Sequence, residues 1–75
     1  MEQKLKEILE DNQENMFMYQ KEVDNYVEQL RFFQQHNLNE EERITRVKYD
    51  ASNMILFGYK KMCNEIEKLL NDWNS

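Results

Sequence analysis

Between residues 2 and 35 the apolar positions return at alternating intervals of four and three: Leu5, Leu9, Asn12, Met16, Tyr19, Val23, Tyr26, Leu30 and Phe33. Unbroken spacing of this kind sets one stripe along a continuous helix and suits left-handed packing against a second helix. Asn12 is the polar member of the stripe, and two readings of it stand side by side. A buried polar side chain can fix register or partner choice. Alternatively, Asn12 belongs to a local break at residues 11–15, five polar residues in a row. The stripe resumes in phase at Met16, so the helix is expected to run through.

The pattern stops at residues 35–39. Asn37 or Asn39 is suited to cap a following helix, and Asn39 with Glu42 has the spacing of a capping box. Glu40, Glu41 and Glu42 then fall in the first turn, where the positive end of the helix dipole stabilises them. Leu38 precedes the cap and is placed to staple onto that turn. A turn over 36–39 follows, with a second helix over about 40–73.

In that second helix Ile44, Val47, Ala51, Ile55, Tyr59, Met62, Ile66, Leu69 and Trp73 share a face, at steps of 3, 4, 4, 4, 3, 4, 3 and 4. The extra four is a stutter, which locally unwinds a coiled coil toward straight packing. Gly58 sits beside it, where another helix can approach closely. Taking this face as the seam leaves a second row outside it, Tyr49, Leu56, Cys63 and Leu70, repeating every seven residues. The two rows together span more arc than one neighbouring helix covers. On the first helix Phe17, Met18 and Phe32 point away from the seam, with Val27 at its margin. The regular row and these three residues are therefore the expected protein interface.

Two helices of similar length, each about 34 residues or about 50 Å, joined by a short turn, must be antiparallel neighbours. The predicted fold is all-α: one domain over 1–75, an antiparallel two-helix hairpin of coiled-coil type. Composition agrees. Proline is absent and Gly58 is the single glycine, so the chain lacks the residues that punctuate β-turns.

Size changes the picture more. A domain this small holds only about 3–5 kcal/mol of net stability from its own core, and usually adds disulfides, a metal or association. Cys63 is the only cysteine and His36 the only histidine, so neither an internal disulfide nor a Cys/His zinc site can form within one chain. Association is what is left. The hairpin is expected to be completed to a bundle by self-association or by a partner protein, as a homodimer or heterocomplex.

Catalytic chemistry is not indicated. His36 lies at the turn and Cys63 about 35 Å or more along the second helix at ~1.5 Å per residue, so they cannot meet. Cys63 reads better as a small apolar residue in a packed row. Carboxylates are plentiful, but a hairpin offers no desolvated pocket to tune a pair of them as acid and base. No glutamate precedes His36 by three residues, as a helical di-iron site would need. His36 with Glu40 and Glu41 makes at best a weak metal site; a solvated turn histidine is the simpler reading. No catalytic residue, cofactor or metal is expected.

The net charge is −5: residues 1–36 carry eight acids against four bases, and residues 37–75 seven against six. Without a basic face, direct nucleic-acid binding is not expected. The apolar run from Met54 to Phe57 is too short for a membrane span. Residues 1–10 lack a signal-peptide core, which with one free thiol points to the cytoplasm. The expected function is a non-enzymatic protein-binding module: a small regulator, adaptor or chaperone acting by helix–helix association. Small secretion chaperones built as helical hairpins and phage- or plasmid-encoded inhibitors of host proteins fall in that class, and the chain resembles type III secretion co-chaperones in size and hairpin form. The alternatives are a homo-oligomeric structural bundle, or an acidic decoy of a nucleic-acid-binding protein.

Overall fold

Helix α1 spans Glu2–Gln35 and helix α2 spans Asn39–Asn74 in a computed structural model that describes residues 2–74. The two pack along their length as an antiparallel hairpin measuring 55 × 14 × 14 Å. Among the described residues there is no strand. Helix α1 passes through the polar segment 11–15 without interruption, and Asn12 is buried on its inner face.

The turn is one residue shorter than predicted, and its chemistry differs from the expected capping box. Asn37 adopts φ 56°, the left-handed conformation that ends a helix. The amide of Leu38 donates to the Phe33 carbonyl (2.9 Å) and that of Asn37 to the Gln34 carbonyl (3.3 Å). This pair of bonds is a Schellman motif, with Asn37 where glycine usually stands. Asn37 thus closes α1 instead of opening α2. Asparagine tolerates the conformation better than other residues bearing a Cβ, which is why a glycine-poor chain can turn here. The first bond of α2 runs from the Glu42 amide to the Leu38 carbonyl (3.0 Å), so Leu38 rather than Asn39 occupies the capping position.

The inner face of α1 is the predicted one. Val23 and Leu30 are buried with Asn12, and Leu5, Leu9, Met16, Tyr19, Tyr26 and Phe33 are half-buried. The inner face of α2 is not. It consists of Glu42, Thr45, Tyr49, Ser52, Leu56, Tyr59, Cys63, Ile66 and Leu70, at steps of 3, 4, 3, 4, 3, 4, 3 and 4. Leu56, Cys63 and Leu70 are only 3%, 4% and 9% exposed. The row expected to face a partner therefore faces α1, and most of the row expected at the seam faces solvent. Phase explains the exchange. Helix α1 offers an unbroken 3–4 alternation, and a row with a stutter cannot follow it over its length. The row from Glu42 to Leu70 can.

That choice brings polar side chains inward near the turn, and they find partners. Ser52 Oγ donates to Glu22 Oε1 (3.2 Å), and Tyr26 Oη donates to the same oxygen (3.0 Å). Gln34 Nε2 donates to Glu42 Oε1 at 3.1 Å. The small side chains of Thr45 and Ser52 leave room for the larger rings of α1. Further along, Tyr19 stacks on Tyr59 with ring centroids 5.7 Å apart. These cross-helix pairs set the register, and by it Asn12 lies level with Cys63 and Ile8 with Leu69.

Candidate protein-binding surface

Heptad labels make the surface of α2 readable. With Tyr49, Leu56, Cys63 and Leu70 at position a, the residues Thr45, Ser52, Tyr59 and Ile66 fall at d. Positions f, c and g then form one continuous outer arc beside d. On it lie Val47, Met54, Lys61 and Lys68 (f), Ile44, Ala51, Gly58, Glu65 and Asp72 (c), and Lys48, Ile55, Met62 and Leu69 (g), so its apolar stretch runs from Ile44 to Met62 and charge gathers beyond it. The large apolar members are all exposed, Met54 most of all at 76%. The flank at e, by contrast, carries Arg46, Asn53, Lys60 and Glu67. The middle of the arc is apolar and wet, and the e flank is polar throughout.

Two details mark the middle of this arc. Ala51 and Gly58 are the only alanine and the only glycine of the chain, and both occupy position c, one heptad apart. Gly58 has no positive φ, and a Cβ built on it would meet nothing within 4 Å. The hairpin itself has no use for the missing side chain, although a mid-helix glycine costs about 1 kcal/mol relative to alanine. A shallow, largely apolar groove of about 280 Å³ opens there, lined by Ile55, Gly58, Tyr59 and Met62.

The residues singled out from sequence separate into three groups. Tyr49, Leu56, Cys63 and Leu70 are covered by α1 and are unavailable to a partner while the hairpin is closed. Phe17, Met18 and Phe32 are exposed on α1, but they do not converge. Phe17 lies under the Lys21 ammonium (4.6 Å to the ring centre), while Phe32 packs on His36 at 4.3 Å between centroids. Fifteen residues, about 22 Å of helix, separate the two rings. Asn12 lies in the seam. Ile44, Val47, Ala51, Ile55, Met62 and Leu69 of the outer arc belong to the row that hydrophobicity alone places inward, whereas Met54 lies outside that row. Continuity of the 3–4 alternation, weighed above hydrophobicity, is the signal that places the row outside.

The titratable groups support a scaffold role for the seam. Burial, and then the charge of Glu67, pushes the Cys63 thiol above its ordinary range, so it is less nucleophilic than a free cysteine. Hydrogen bonds from Gln34 and Arg46 hold Glu42 below the usual carboxylate range, and the bond to Glu22 raises the Tyr26 hydroxyl. Among the described residues no group of three or more His, Cys, Asp or Glu side chains is arranged to hold a metal, and no helix is long and apolar enough to cross a membrane.

The inward placement of Cys63 has a direct check. A thiol reagent should modify it about tenfold or more slowly in native buffer than in urea, because reaction requires opening the hairpin. Equal rates would return Cys63 to the surface and with it the row it belongs to.

Comparison with known protein families, curated proteins and solved structures finds no match to this chain.

Proposed function

We propose that this chain is a non-enzymatic protein-binding module, a small regulator, adaptor or chaperone that works by helix–helix association through the outer arc of α2. One observation carries the reading: Val47, Met54, Ile55, Met62 and Leu69 recur along one face of α2 and the hairpin leaves them all in water. Single exposed apolar side chains need no explanation. A contiguous row of large ones along a helix does, and interaction surfaces are its usual reason. The spacing, with anchors at i, i+7, i+8, i+15 and i+22 from Val47, keeps them on one face of the helix, as when an amphipathic helix presents anchors to a groove or a second helix. The acidic α1, with a net charge of −4 from eight acids and four bases, faces away from that contact and keeps the module dissolved. With its free thiol buried, the chain suits the reducing cytoplasm.

The test is capture by the immobilised chain, offered both a differently tagged copy of itself and lysate of the source organism. Wild type should retain a polypeptide in defined stoichiometry, and Met62→Glu should lose it while keeping its helical circular dichroism. Met62 is half exposed in the hairpin, so the variant tests the surface and not the fold. Undiminished capture by Met62→Glu would sink the reading.

A further inference from the structure

We infer that the occupant of the α2 outer arc is a second copy of this chain, its own α2 docked antiparallel about a two-fold axis at Gly58, giving a dimer of hairpins with the two α2 helices in contact and the two α1 helices outside. The inference rests on the protein-binding reading above and names its partner.

The area argument comes first. A compact chain of 9.3 kDa exposes about 5,000 Å² by the usual scaling with mass. This hairpin exposes 6017 Å². The excess, roughly 1,000 Å², slightly exceeds the roughly 800 Å² that each partner contributes to a specific interface of ordinary size. Shape gives the same answer: the Cα radius of gyration is 16.8 Å, against about 11 Å for a compact chain of this length. A second hairpin laid alongside removes the excess without lengthening the particle.

Self-complementarity then selects this chain and this direction. In an isologous contact, residues equidistant from the axis meet. With the axis at Gly58, Val47 meets Leu69 of the second copy and Met54 meets its Met62, while Ile55 lies along the aliphatic stem of its Lys61. Each layer pairs an f residue with a g residue, as a pairs with d in an antiparallel coiled coil. At the axis the two glycines face one another, where the hairpin alone gives the absent Cβ nothing to avoid. The parallel alternative sets Lys48 and Glu65 each against its own charge in the second copy. The antiparallel contact leaves one like-charged layer, Lys48 against Lys68, at its ends.

Sedimentation equilibrium of the full chain in the micromolar range tests this with two variants. Wild type is expected to sediment at twice its monomer mass. Gly58→Gln should keep or raise the helical circular dichroism, yet weaken dimerisation by about tenfold or more, because a side chain at the axis forces the helices apart. Lys48→Glu should tighten the dimer a few-fold by pairing with Lys68. A monomeric wild type, or a Gly58→Gln dimer as tight as wild type, would overturn the proposal; a looser Lys48→Glu dimer would overturn the antiparallel register. The two readings separate cleanly. A monomer whose lysate capture is still lost in Met62→Glu removes the second copy but leaves the protein-binding role, whereas a monomer that captures nothing removes both.

Discussion

Leu56→Asp is expected to abolish the fold at 25 °C, seen as loss of the helical signal at 222 nm, while Phe57→Asp one residue later leaves that signal in place. Leu56 is 3% exposed in the middle of the seam, and Phe57 is 70% exposed. The first substitution forfeits roughly 1.5–3 kcal/mol of apolar burial. It also sets a carboxylate in a site that cannot hydrate it, at a cost of several kcal/mol unless the group takes up a proton. A core of this size supplies only about 3–5 kcal/mol in total. The loss thus equals or exceeds what there is to lose. Phe57→Asp removes a ring that the hairpin does not cover and lies outside the f, c and g positions of the outer arc. A folded Leu56→Asp beside an unfolded Phe57→Asp would mean that α2 is rotated from the orientation described.

Adjacent residues with opposite fates show what the sequence discloses. The hairpin was legible because helix ends and a single seam are local properties. Glu40 to Glu42 mark a start, and Leu5 to Phe33 repeat without error over most of α1. The Asn37 closure was half visible: the residue type suits a turn, but its left-handed backbone belongs to the end of α1, a role most often given to glycine. The facing of α2 was harder, because two rows compete for the seam. One is richer in large apolar residues, with Ile44, Val47, Ile55, Met62 and Leu69; the other carries Glu42, Thr45 and Ser52. Hydrophobicity favours the first row and phase favours the second. Phase wins, since contact along the whole length of α1 requires matched periods, and Ser52 and Glu42 of the second row find partners in Glu22 and Gln34 across the interface. The Glu22–Ser52 bond joins residues 30 apart and leaves no trace in the local sequence. The outcome moves the candidate surface, too. Ile44, Val47, Ile55, Met62 and Leu69 form the surface, and Leu56, Cys63 and Leu70 join Tyr59 and Ile66 in the packing.

Asn12 is the remaining polar residue of the seam, and its replacement bears on why such a residue is there. Asn12→Leu should raise the thermal midpoint by roughly 10 °C, since about 2 kcal/mol is gained and each kcal/mol moves the midpoint of a domain this small by about 4–8 °C. The gain has two sources. An amide that is 9% exposed no longer has to be partly dehydrated, and leucine extends the run of Leu9 and Met16 against Cys63 and Ile66. The accompanying change is in specificity. With Asn12 in place, a slip of α1 past α2 by a heptad moves the amide from the layer of Cys63, whose thiol is a weak hydrogen-bonding group, to that of Leu56 or Leu70, which has none, and this penalises the slipped form. Leucine removes that penalty, so the stabilised variant should show additional species in sedimentation velocity where wild type shows one. A lower midpoint for Asn12→Leu would mean that the amide makes a stabilising bond in the seam, and its role would be structural support. A higher midpoint with one unchanged species would mean that register is held elsewhere, by the Tyr19–Tyr59 stack and the Glu22–Ser52 bond alone. Only the combination of greater stability and lost uniqueness identifies Asn12 as the residue that keeps the two arms, and the outer arc of α2 that they position, in one alignment.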